Sequence, residues 1–402
     1  MGTTGSPQPP LFARRAGFDP VPELGRLRAE EGVRRVEHHW DAPVWLVTGY
    51  DDVRGVLGDH GRFSSAAPPY FAGASADGAG QATEAMAGTG TFIVYDPPDH
   101  TRIRRMLAPE FTRRRLSRLE PCIAKSVTEH LDGIEAVGPP ADLVEKFALS
   151  LPLLVICELF GVPLRDRTAL LPLTMTFTDF TRSVEERREA SEQMTAVMVE
   201  FVKAQRADPG DGMLGMLVRD HGDELSDREI AGIADIMVVA GYETTTAMLS
   251  LGTLVLLRYP EYVPLLFGGD AALDGVIEEL LRYLSVTHNA FPRIAREDAV
   301  IGGQQISAGD LVLCSPPIAN RDQCLGAGMD RFDPTRGGGA HVAFGHGIHH
   351  CIGAPLARLE MRMAFPVLFR RFPGLRLAIP FEEISWRANT NIYGLDALPV
   401  AW

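Results

Sequence analysis

The feature that most limits how this chain can fold is a run of thirty-odd residues, Ser226 to Tyr259, that is apolar on nearly every helical face. Ser226 followed by Glu229 is a capping box, and Pro260 stops the helix. At about 1.5 Å per residue the run spans roughly 50 Å, and a helix that is apolar all round belongs in an interior. Yet its middle reads Ala240-Gly241-Tyr242-Glu243-Thr244-Thr245. A glycine, a carboxylate and adjacent hydroxyls in a buried helix break local consistency, and such breaks mark function. A threonine here can bond the carbonyl one turn back and distort the ladder, opening a groove beside Gly241.

Around that helix the composition is ordinary. Hydrophobic residues make up 46% and charged residues 23%, as expected of a globular protein. No linker-like stretch divides the 402 residues. The expected organisation is therefore a disordered or extended start over 1–18 and one domain over 19–402. A formal charge of −13 argues against nucleic acid, whose binding needs clustered Lys and Arg. The N-terminus carries no apolar run, so neither a signal peptide nor a membrane anchor is expected. Five scattered cysteines suit a reducing cytoplasm.

A second stretch carries chemistry. Phe344-Gly345-His346-Gly347-Ile348-His349-His350-Cys351-Ile352-Gly353 is glycine-punctuated and runs straight into Ala354-Pro355-Leu356, the first turn of a helix. Unpaired N–H groups and the positive end of a helix dipole favour a thiolate at Cys351, as metal ligand or nucleophile. A zinc site built from His346, His349, His350 and Cys351 is disfavoured, because four ligands within six residues on one loop could hardly surround a tetrahedral ion. A buried structural cysteine is the other plain alternative.

Phe-Gly-x-Gly-x-His-x-Cys-x-Gly resembles the haem-binding loop of the cytochromes P-450. The resemblance implies a mainly α fold with a small β region, the family's triangular prism with a long central helix over the haem. It implies haem b (iron protoporphyrin IX), with Cys351 as the axial thiolate on the iron and Phe344 and Gly345 in the cofactor loop. His349, His100, Arg104 and Arg293 would bind the haem propionates. His100 and Arg104 lie four apart and can converge on one anion. On the central helix the resemblance places Ala240 and Gly241 beside the haem, with Glu243 and Thr244 as an acid–alcohol pair that feeds protons to bound oxygen. Glu279, Arg282 and Arg336 match the family's structural Glu–Arg–Arg network.

Val238, Val239, Asn289, Ala290, Phe291 and Ile392 are expected to touch substrate, and Asn391 with them. Tyr70, Phe71 and Met86 lie in a Gly- and Ala-rich loop over the distal face, and Phe177 and Phe180 are candidate lid residues. The implied activity is insertion of one atom of O₂ into a lipophilic small molecule as a biosynthetic tailoring step. Electrons would come from ferredoxin and ferredoxin reductase, and the cations Arg102, Arg105, Arg113, Arg114 and Arg115 would steer docking. Ring coupling or desaturation on the same scaffold, peroxide-driven oxidation, and a haem sensor or binding protein are the alternatives.

Several elements follow from pattern alone. Residues 21–31 read as a helix and 33–48 as a hairpin, with helices over 143–161 and 165–206. Residues 299–313 read as strand, turn and strand. Pro366 should kink or end the helix that follows Cys351.

Overall fold

The structure, a computed structural model, describes residues 10–37, 43–66, 88–162, 164–179, 182–289, 292–387 and 392–402. Its axis is the central helix, Asp227–Arg258, which runs unbroken through 32 residues. The capping box is present, with Ser226 Oγ accepting from the Glu229 N–H at 3.2 Å and the Glu229 carboxylate accepting from the Ser226 N–H at 3.0 Å. Two hydroxyls inside the apolar helix donate into its own ladder. Ser250 donates to the Thr246 carbonyl at 2.9 Å and Thr253 to the Leu249 carbonyl at 2.8 Å.

Other helices cover this axis from all sides, as its apolar circumference requires. Ser150–Phe160, Val184–Ala207, Asp270–Leu284 and Ala354–Arg371 all pack on it. Small residues permit the closest approaches. A Cβ on Gly232 would meet the Thr89 carbonyl oxygen at 1.6 Å, and one on Gly252 would meet the Phe365 ring at 2.7 Å. Among the described residues, no helix is long and apolar enough to cross a membrane.

The β part is small, as expected. One five-stranded sheet has the order Val33–Glu37, Pro43–Val47, Leu311–Cys314, Arg293–Ala295, Phe63–Ser64. Its first pair is the expected antiparallel hairpin, with Arg35 opposite Trp45. Pro43–Val47 and Leu311–Cys314 run parallel, and the remaining pairs are antiparallel. This sheet places Arg293, only 4% exposed, at the inner end of its strand.

Four expectations need correction. Residues 299–313 form a hairpin, Ala299–Ile301 with Gln304–Ile306, and then a separate strand that joins the main sheet. Gly302 and Gly303 take φ values of 54° and 79°, which make the tight turn possible between the two short strands. The 143–161 helix is split into a π-turn over Val144–Ala148 and an α-helix from Ser150. Pro366 does not end its helix, which continues to Arg371 because Ala364, Phe365, Leu368 and Phe369 are all buried on either side of it. Residues 10–18 are folded in: Phe12 and Phe18 are buried, the Arg15 guanidinium donates to the Ser285 carbonyl at 3.0 Å, and the Tyr393 hydroxyl donates to the Gly17 carbonyl.

Candidate haem site

The loop before the helix Ala354–Arg371 turns twice through left-handed backbone, with φ of 73° at both Gly345 and Gly347. At Gly347 no other residue fits, because a Cβ would lie 2.4 Å from the Leu57 carbonyl oxygen. The double turn delivers Cys351 to the start of the helix, where the N–H groups of Gly353 and Ala354 point at its sulfur. The sulfur looks into a cavity of about 260 Å³ between the loop and the central helix. Burial pushes the thiol up, and the two N–H groups with Arg104 and Arg358 only partly offset it. The N–H groups at the helix start favour a thiolate, and iron bonded to the sulfur would favour it further.

Cations gather at one edge of the cavity. The rings of His100 and His349 lie 4.1 Å apart, centre to centre, and Arg104 and Arg293 line the wall beside them. Burial and then Arg293 hold the His349 imidazole down at about 2; burial and then Arg104 hold His100 at about 4. Both ring nitrogens of His100 and Nε2 of His349 are buried without a hydrogen-bond partner. Two neutral imidazoles and two guanidiniums around one spot fit a pair of carboxylates, the charge that the edge of a protoporphyrin carries.

On the opposite wall the central helix presents Ala240, Gly241, Thr244 and Thr245. Thr244 donates its hydroxyl proton to the Ala240 carbonyl at 2.6 Å, so its lone pairs are left for the cavity. The helix stays continuous at this point, and Gly241 shares the cavity wall with Ile156, whose side chain would lie 3.3 Å from a Cβ there. Glu243 is absent from the cavity wall. Its carboxylate is 7% exposed and faces Arg387, 3.7 Å away on the strand Trp386–Arg387. Burial pushes its pKa up to about 7, against the pull of Arg387.

The expected substrate wall is partly wrong. Val238 is fully buried and Val239 half-buried, and neither lines the cavity, because the helix turns Ile236, Met237 and Ala240 to it instead. Asn289 is half-buried outside the wall, and Ile392 forms a bridge to Thr287 behind it. Ser285, Val286 and Thr287 line the cavity in their place, with Phe92, Ile93 and Met248. Phe177 does not reach it. Ala290, Phe291, Asn391, Tyr70, Phe71, Met86 and Phe180 lie outside the described residues.

Behind the loop, Glu279 and Arg282 form a two-pronged ion pair at 2.7 and 2.8 Å, and Arg336 lies 3.5 Å from the same carboxylate. Arg282 also donates to the carbonyls of Asn320 and Met329, both at 2.7 Å. The Asn320 side chain in turn accepts from the Val342 N–H at 2.7 Å, just ahead of Phe344. Sequence reasoning missed a second brace. Glu278 binds Arg358 at 2.6 Å and His341 at 3.1 Å, and the Arg358 guanidinium lies 4.7 Å over the Phe344 ring. Burial raises the Glu278 pKa, but Arg358 and His341 outweigh it and hold the group at about 2. Nothing in the sequence distinguished Glu278 or Arg387 from surface charge.

A cysteine at a helix start, facing a chamber rimmed by carboxylate-binding cations, defines a haem-thiolate site. Comparison with known proteins agrees. The Cytochrome P450 family model matches residues 272–374. Cytochrome P450 FAS1 of Rhodococcoides fascians is 42% identical over 398 residues, which span 99% of this chain and 100% of that protein. Mycinamicin IV hydroxylase/epoxidase of Micromonospora griseorubida is 38% identical over 404 residues, 100% of both chains. The crystal structure of OxyC, a cytochrome P450 implicated in an oxidative C–C coupling reaction during vancomycin biosynthesis, superposes with a TM-score of 0.88. It is 40% identical and covers 98% of this chain and 97% of its own.

The chain belongs to the cytochrome P450 family. Its fold is the family's fold, its cofactor is haem, and its class of activity is monooxygenation.

Proposed function

We propose that this chain oxidises a lipophilic biosynthetic intermediate, held against Phe92, Ile93, Met237 and Met248, with Cys351 as the iron ligand and Thr244 as the hydroxyl nearest the reaction. The observation that carries this reading is the placement of the Cys351 sulfur and the Thr244 hydroxyl on facing walls of one largely apolar cavity. Bound haem would supply the activation of O₂ and the oxidation of an unreactive bond. The protein's share is different. His100, His349, Arg104 and Arg293 would hold the two haem propionates. The Glu278 and Glu279 braces fix the loop that presents the sulfur. Thr244, with its proton committed to Ala240, accepts a hydrogen bond from a protonated group in the cavity and so orients it. Glu243 stores a proton near neutral pH beside Arg387.

Electrons reach the site from a ferredoxin, itself served by ferredoxin reductase, in a cytoplasmic setting. Arg105, Arg113 and Arg114 are exposed on an otherwise acidic chain and give an acidic protein a landing point. Arg102 and Arg115 contribute less, since each is paired, to Glu229 at 2.7 Å and Glu110 at 3.2 Å.

A second reading is oxidative coupling of aromatic rings. Similarity to OxyC favours it, since that relative is named for a coupling reaction. One experiment tests both. The haem-loaded protein is screened against lipophilic compounds for the spectral shift that follows displacement of water from the iron, and each hit is turned over with reductase, ferredoxin and O₂. A product heavier by one oxygen atom supports insertion; a product lighter by two hydrogens, with a new bond between two rings seen by NMR, supports coupling. A protein that binds no haem through sulfur would end both readings.

A further inference from the structure

Among the described residues, three side chains of the cavity wall carry sulfur: Cys351, and Met237 and Met248 of the central helix. The Cys351 sulfur is committed to the iron. The rest of this wall holds no Trp or Tyr, the other readily oxidised side chains. Met237 and Met248 share one helix face with Thr244, seven residues before it and four after it. Those offsets place them about 10 Å and 6 Å from it along the axis. Both are buried, at 6% and 4% exposed, so a small molecule reaches them through the cavity. The other methionines provide a contrast. Met175 is 47% exposed, while Met194, Met198 and Met213 are buried away from the cavity.

A thioether is soft and polarisable, and it takes one oxygen atom from hydrogen peroxide. Peroxide is formed in this cavity whenever O₂ takes up two electrons and two protons without oxidising substrate. The sulfur lone pair then attacks one peroxide oxygen, and the O–O bond breaks as an S–O bond forms. The second oxygen leaves as water, so sulfur is oxidised and peroxide reduced. One molecule confined to about 260 Å³ stands at an effective concentration on the order of molar, far above that of peroxide diluted in solvent. The sulfoxide is polar and accepts hydrogen bonds. Thr244 has already given its proton to the Ala240 carbonyl, so the new oxygen gains no donor from it and spoils an apolar stretch of wall.

We propose that Met237 and Met248 are modification sites, oxidised to the sulfoxide by hydrogen peroxide set free in the cavity, and that the modified wall binds lipophilic substrate less well. Oxygen that fails to reach substrate thus marks two of the side chains that hold substrate. The proposal rests on the oxygenase reading above, which supplies the peroxide.

The test runs the haem-loaded protein with reductase, ferredoxin, reductant and O₂ but no substrate, with catalase in solution to destroy peroxide that escapes. Peptide mass spectrometry should find one added oxygen atom at Met237 and Met248, with roughly ten-fold preference over Met175. Peroxide added to the resting protein should reverse the order, with Met175 oxidised first. Affinity for a lipophilic compound from the screen above, read by its spectral shift, should fall about ten-fold as the two sulfoxides accumulate. The double variant Met237→Leu/Met248→Leu, close to the wild type in volume, should keep its own starting affinity through the same treatment. Peroxide release with both thioethers intact, or preferential oxidation of Met175 during turnover, overturns the proposal. So does a double variant that loses affinity as fast as the wild type. A protein that takes up no O₂ and, without catalase, frees no peroxide would instead end the oxygenase reading, and the proposal with it.

Discussion

The Arg387 guanidinium lies 3.7 Å from the Glu243 carboxylate, on a side of the central helix that does not line the Cys351 cavity. Arg387 reaches on to Asp396, also at 3.7 Å, which is exposed. The acid beside Thr244 is thus tied to the surface by a short row of alternating charge. Arg387 opposes the burial that raises Glu243. Replacing it with Gln removes the opposing charge, so the Glu243 pKa should rise above about 7. If Glu243 delivers protons in its acid form, product yield falls as pH climbs through that pKa. In Arg387→Gln this falling limb should move to higher pH. A pH profile of product per electron pair checks it, and an unmoved limb would separate Glu243 from proton supply.

The same group affects stability, with a defined sign. Its folded pKa of about 7 lies above the ordinary 4.5, so the folded state holds the proton more tightly than the unfolded one. Stability is therefore lost as pH rises from the ordinary value through the folded one. Glu243→Gln cannot ionise and should escape that loss, by on the order of a few kcal/mol at most. Thermal midpoints of the two proteins at mildly acid and mildly alkaline pH should diverge, with the variant relatively more stable in alkali. Parallel midpoints would show that Glu243 is not raised by burial.

Thr244→Ala removes the hydroxyl without disturbing the ladder, because the bond it makes is to a carbonyl already within the helix. Substrate binding, read by its spectral shift, should persist. Product per electron pair should fall at least about ten-fold, with hydrogen peroxide released in its place. A variant with full yield would remove Thr244 from the reaction.

How much of this was legible beforehand follows from the reach of each signal. The central helix, its cap and the Cys351 loop were readable because local rules fix them: a 3.6-residue apolar period, a Ser–Glu box, glycines at left-handed positions. The Glu279–Arg282 pair was readable because three residues of separation put both on one helix face. Long-range pairings left no such trace. Glu243 and Arg387 are 144 positions apart, and Glu278 and Arg358 are 80 apart. The Val238 error has the opposite origin. In a helix that is buried all round, apolarity does not tell which face meets the cavity and which meets a neighbouring helix.

Glu278 and Glu279 are adjacent, yet their loss should read out differently. Glu279→Gln leaves Arg282, nearly all buried, without its carboxylate, and breaking a buried pair costs about 3–5 kcal/mol. Its effect should be a lower midpoint of global unfolding. Glu278 is less enclosed, with a quarter of its side chain exposed, and its pair with Arg358 stands outside the fully buried core. What Glu278 controls is local: Arg358, which lies over Phe344, and His341, whose Nδ1 accepts from the Ala343 N–H at 3.2 Å. Glu278→Gln should therefore change the global midpoint little and raise the rate at which haem is lost to an acceptor protein. Equal effects of the two variants on both measurements would mean that the loop has one brace and not two.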